Sequence, residues 1–110
     1  MAGSFELKQG ANGQYHFNLK GGNGQIILAS EMYEAKSSAE TGIASVQANS
    51  TKDGHYKKEE TFSGKFYFTL KAANHQVIGN SQMYASAISR DAGIESVKTE
   101  GATTVIKDNT

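Results

Sequence analysis

The chain has 110 residues, 37% of them hydrophobic and 20% charged, which suits one small globular domain and leaves too little core for two. Eleven basic residues balance eleven acidic ones, and Arg90 is the only arginine, so neither a whole-molecule field nor a guanidinium surface points to nucleic acid or anionic lipid. With no cysteine and no proline, disulfide scaffolds, thiolate zinc sites, cysteine catalysis and rigid linkers are excluded. No apolar run is long enough to span a bilayer, and Met1 to Glu6 lack the basic and apolar regions of a signal peptide. A soluble cytoplasmic protein is expected.

In chain order, Phe5 and Leu7 mark a first strand, and Gly10-Ala11-Asn12-Gly13 turns it into a second. There Tyr15, Phe17 and Leu19 alternate with His16, Asn18 and Lys20, the period of a half-buried strand. Gly21-Gly22-Asn23-Gly24 carries an Asn-Gly hairpin signal ahead of a third strand at Ile26-Ile27-Leu28. The period then lengthens: Ala39, Ile43 and Val46 form a helical stripe, and Ser37 with Glu40 fits a capping box at its start. His55 to Glu59 places charges where apolar residues would be preferred and reads as an edge or near-edge strand. Phe66, Phe68 and Leu70 repeat the alternation, and Val77-Ile78 follow a hairpin at Asn74-His75. Ser86 is a candidate cap for a second helix bearing Ile94 and Val97, and Thr103 to Lys107 forms a last strand.

This succession is an internal repeat. A shift of 51 positions lays Gly13–Ser50 over Gly64–Gly101 with more than a third of the positions identical. Two copies are too few for a solenoid, so a pair of units about a pseudo-two-fold axis is expected. Each unit reads βββα and hands the chain on to a further strand. Gly42 and Gly93 recur inside the helices, where glycine costs about 1 kcal/mol relative to alanine, which predicts a close approach of each helix to a neighbour. His75 stands where the first copy has Gly24, so a positive φ is predicted there.

Ile27 to Tyr33, followed by Lys36, Ala39, Gly42-Ile43 and Ser45-Val46, and the second copy's Val77 to Tyr84 followed by Gly93-Ile94 and Ser96-Val97, resemble the signature of the YegP-like family of small bacterial proteins over essentially the whole chain. The resemblance implies an α+β fold of two tandem βββαβ units, with a single sheet across both and the strands after the helices exchanged between repeats. It implies no activity, because family members have none established. Three positions depart from the family pattern: Ala35 stands where a serine usually starts the helix, Gln82 replaces the commoner glutamate, and Asn74-His75 replaces Asn-Gly.

The resulting expectation is one pseudo-two-fold domain over 1–110, with repeats at about 1–51 and 52–110 that do not fold apart, its mixed or antiparallel sheet covered on one face by two helices. His16, His55 and His75 show no ligand spacing and read as surface residues on an exposed strand face, a weak strand and a hairpin tip. No metal site, cofactor or catalytic residue is assigned. Glu31, Glu34, Glu40, Glu59, Glu60, Asp91 and Glu95 read as solvated charges, and Ser30 and Ser81 lack a nucleophile's context. Lys65 to Lys71 interleaves bases with aromatics, but Phe66 and Phe68 share the face of Leu70 and are assigned to the core, leaving Tyr67 as that strand's exposed ring. The repeated Ser-x-Met-Tyr elements are the best candidate site: Ser30, Tyr33, Ser81 and Tyr84 could contact a small anion or a partner peptide, but the preferred reading is that Met32, Met83 and the tyrosine rings plug the gap between sheet and helix. The expected function is a non-enzymatic binding or interaction module, a monomer with an unknown small-molecule or protein partner, without nucleic acid or membrane. A small-ligand enzyme with its site near the strand-to-helix loops is the alternative, and nucleic-acid binding the third reading.

Overall fold

Alternation sorts each strand onto two faces. Phe17 and Leu19 of β2 (Tyr15–Lys20) and Phe68 and Leu70 of β5 (Phe66–Lys71) are fully buried on one face, and the residues between them, Asn18 and Thr69, lie on the opposite face, where they too are largely covered. The computed structural model describes residues 3–110. It completes the first repeat with β1 (Ser4–Gln9), β3 (Ile26–Ser30) and α1 (Lys36–Asn49). The second repeat adds β4 (Tyr56–Glu60), β6 (Val77–Asn80) and α2 (Ala87–Glu100), and β7 (Ile106–Asp108) closes the chain.

The seven strands form one mixed sheet in the order β4-β5-β6-β3-β2-β1-β7, antiparallel except for the β1–β7 pair. The repeats join at β3 and β6, where Ala29 lies opposite Asn80. These two residues are equivalent in the 51-residue repeat, so the pseudo-two-fold axis passes between them. The chain leaving α1 enters β4 and pairs with β5 of the second repeat, while the chain leaving α2 runs into β7, beside β1 of the first. Each post-helix strand thus pairs beyond the βββα run it leaves, β4 antiparallel to β5 and β7 parallel to β1. β4 is an edge strand, as its Lys57-Lys58-Glu59 composition predicts.

Both helices lie on the buried face. Ala39, Ile43 and Val46 of α1 and Ile94 and Val97 of α2 close a single core with the strand residues. A Cβ on Gly42 would stand 2.7 Å from Tyr33 Oη and 2.9 Å from Phe17 Cε2, and one on Gly93 would likewise strike the Tyr84 hydroxyl. The recurrent glycines therefore let a tyrosine tip reach each helix backbone, the close approach their helical positions predict.

Several local expectations need correction. Helix α1 starts at Lys36 with Ala35 as its cap and no side-chain cap bond, so Ser37 lies within the first turn and makes no capping box. In α2 the equivalent cap, Ser86, accepts a hydrogen bond from Ser89 N at 3.1 Å, as predicted. β7 is shorter than Thr103 to Lys107: Thr103 instead donates its hydroxyl to Gly3 O (2.8 Å), and pairing starts where Phe5 N donates to Val105 O (2.9 Å). His55 sits in the 3-10 turn Asp53–His55 before β4. Phe66 is half-buried rather than core, with the Arg90 guanidinium 5.4 Å above its ring. His75 has φ 69°, matching the 83° of Gly24.

Candidate functional site

Each Ser-x-Met-Tyr element divides its labour. Ser30 Oγ accepts from Phe17 N (2.9 Å) and donates to Glu31 O (2.8 Å), and Ser81 Oγ accepts from Phe68 N (3.0 Å) and donates to Gln82 O (2.8 Å). A hydroxyl has one proton to give, so both are committed to the strand ends. Two residues on, Tyr33 exchanges backbone hydrogen bonds with Tyr15 (2.6 and 2.7 Å), and Tyr84 does so with Phe66 (2.8 and 2.7 Å). These staples fix the rings, which stack on Phe17 and Phe68 with centroids 6.4 and 6.5 Å apart. The rings fill the gap between sheet and helix, but Met32 and Met83 do not: they are 48% and 56% exposed.

The tyrosine tips open into two grooves, of about 450 and 640 Å³. Tyr33, Ser38, Gly42 and Ser45 of the first repeat face Asn74 and Gln76 on the second repeat's hairpin. In the other groove, Tyr84, Ser89, Gly93 and Ser96 of the second repeat face Asn23 and Gln25 on the first repeat's hairpin. Most positions of the two linings correspond under the 51-residue shift, and neither contains a basic residue. Each groove is therefore assembled from both repeats.

The shared hydrogen-bonding chemistry is largely free. Asn23 and Asn74 spend their Oδ1 on the backbone N–H of Gln25 and Gln76 (3.1 Å each), which shapes the hairpins. Among the described residues, the side chains of Gln25, Gln76, Ser45 and Ser96 and the hydroxyls of Tyr33 and Tyr84 make no hydrogen bond within the protein. Burial, reinforced by the Glu31 charge, raises the Tyr33 hydroxyl above the usual tyrosine range, so it remains a neutral donor and acceptor. The amides and helix serines were not singled out by residue chemistry. Their signal is identity between the copies at polar positions that no core requires.

The other candidates fall elsewhere. His16 lies on the outer sheet face, His55 Nδ1 is 2.9 Å from Lys71 O, and His75 is at its hairpin tip. Arg90 stacks on Phe66 and pairs with Asp91 at 3.3 Å. A third depression, between β4 and α2, is bridged by Lys58–Asp91 (3.3 Å), while Lys98 of α2 pairs with Glu95 of the same helix (3.1 Å) and with Asp53 of the 3-10 turn. The fully exposed Phe62 stands on the β4–β5 turn, where the first copy has Ala11.

A two-repeat α+β sheet with exchanged terminal strands and a groove on each side of its axis defines the class. Residues 11–56 and 63–108 each match the domain of unknown function DUF1508. The chain belongs to the UPF0339 family, to which the YegP proteins belong. It is 60% identical over 110 residues to the UPF0339 protein of Acinetobacter baylyi, covering 100% of this chain and 99% of that one. The solution structure of YegP from Escherichia coli, described as a protein of unknown function, superposes with a TM-score of 0.95 at 57% identity and covers 100% and 95% of the two chains. That of the UPF0339 protein from Shewanella oneidensis gives 0.93 at 55% identity, covering 98% and 92%.

Proposed function

We propose that the protein is a non-enzymatic binding module that holds a small neutral ligand rich in hydroxyl and amide groups, one in each groove. The observation that carries this reading is the convergence of the duplicated polar residues: Tyr, Ser, Asn and Gln retained in both copies outside the core meet in two matching grooves. Side-chain amides offer a donor and an acceptor together, the pattern a pair of neighbouring hydroxyls or an acetamido group presents, and the tyrosine edge supplies apolar contact. The absence of lysine, arginine and histidine from both linings argues against the small anion considered for the Ser-x-Met-Tyr elements. Ser30 and Ser81 serve by holding the tyrosines, while Tyr33 and Tyr84 make the contact. A raised Tyr33 pKa suits binding better than proton transfer.

The test is an NMR titration of the protein with N-acetyl-D-glucosamine, following the Gln25 and Gln76 side-chain amides and the Tyr33 and Tyr84 rings. Both sets of signals should move together. Shifts confined to the outer sheet face, or no saturable shift at all, would refute the reading.

A further inference from the structure

The two grooves match at most positions, and at their tyrosine ends they differ at one that carries charge. Glu31, two residues before Tyr33, lines the first; its equivalent in the second is Gln82, two residues before Tyr84. Among the described residues Glu31 forms no ion pair, and it is exposed. Its charge is felt at the Tyr33 hydroxyl, which it helps to raise. The second groove has a carboxylate too, Glu100, but this is the last residue of α2, about three helical turns beyond Ser89, and it accepts a hydrogen bond from Gly3 N. The tyrosine end of the first groove is therefore negative and that of the second is neutral.

We infer that the grooves divide one ligand class between them: the Glu31 groove prefers a hydroxylated ligand bearing an ammonium group, and the Gln82 groove prefers its neutral, amide-bearing form. This rests on the binding reading above and adds the determinant of selectivity. An ammonium beside Tyr33 gains an exposed charge partner in Glu31, worth roughly three- to five-fold in affinity at low salt and less at high salt. In the other groove the Gln82 amide offers a donor and an acceptor to an acetamido group and no compensation for a charge.

The probes are D-glucosamine, as its protonated amine, and N-acetyl-D-glucosamine, titrated separately while the Tyr33 and Tyr84 ring signals report each groove. D-Glucosamine should bind roughly three- to five-fold more tightly at Tyr33 than at Tyr84, with the preference falling as salt is added. Glu31→Gln should abolish the preference, and Gln82→Glu should confer it on the Tyr84 groove. Both substituted residues are exposed, so the variants keep the fold. Equal binding of the amine in both grooves, or a preference unchanged in Glu31→Gln, overturns the inference while leaving the binding module standing. Loss of all response to the N-acetyl sugar overturns both.

Discussion

Leu28 and Gly79 occupy equivalent positions of the two repeats, yet only one of them can carry a side chain. A Cβ on Gly79 would stand 3.0 Å from Leu28 Cγ and 2.9 Å from Ala29 O. The reason is the axis. Positions next to a two-fold face their own counterparts, and two leucines would compete for one volume in a core packed to crystal-like density. One copy therefore fills the seam and the other yields.

That relationship predicts strong coupling. Gly79→Leu alone should destabilise the protein by about 2 kcal/mol or more through overpacking. Leu28→Gly alone should leave a cavity of comparable or greater cost. The double exchange should be more stable than the sum of the single costs allows, because Leu28→Gly removes the side-chain clash, although the contact with Ala29 O remains. Denaturant midpoints of the three variants check this, and simple additivity would contradict it.

At two positions one copy carries the less suitable residue, and the other shows the remedy. Ala35 caps α1 without a side-chain bond where Ser86 caps α2, and His75 holds φ 69° where Gly24 holds 83°. Ala35→Ser and His75→Gly should each stabilise the fold by up to about 1 kcal/mol, with nearly additive effects. Chemical denaturation of the single and double variants measures it. A lower midpoint for either single variant would count against the corresponding assignment.

Lys36 at the start of α1 pairs with Asp108 of β7 at 2.6 Å. That ammonium, with the hydroxyl and N–H of Thr110, brings the Asp108 carboxyl to about 2 from its ordinary 3.8. A depressed carboxylate contributes stability above its unfolded value and loses it as pH falls through the folded one. The contribution is therefore intact above about 4 and disappears near 2, fraying β7 first. Carboxyl NMR of Asp108 should show this low titration, and Lys36→Met should move it up towards 3.8. An unchanged midpoint in the variant would contradict the pairing.

We propose that neither repeat folds alone. A fragment ending at Glu60 lacks β6 beside β3 and β7 beside β1, and its chain is near the lower size limit for a core. It should dimerise or remain unfolded in sedimentation and circular dichroism. A stable folded monomer would refute this.

Much of the architecture can be read from the chain because the repeat prints each structural signal twice. The alternation at Phe17 and Phe68 and the stripes ending in Val46 and Val97 assign strands and helices, and the charged Lys57 to Glu59 run marks β4 as an edge. The family resemblance points to Ala35 as the start of α1, whereas residue chemistry alone points to Ser37, because alanine has no capping group and Ser37 nearby mimics one. Met32 and Met83 misled because apolar character suggests burial, whereas the staple at the following tyrosine decides which side chain turns inward. The grooves were hidden for a different reason. Asn23 and Gln25 lie about 60 residues from Tyr84 and Ser89, and only the crossing of the repeats brings them together.

The central claim is that each groove is shared between the repeats, and Gln76→Ala tests it most directly. In an N-acetyl-D-glucosamine titration of this variant, the Tyr33 ring signals of the first repeat should lose their response while those of Tyr84, in the same repeat as the substitution, keep theirs. Loss of the Tyr84 response with Tyr33 unaffected would contradict the account.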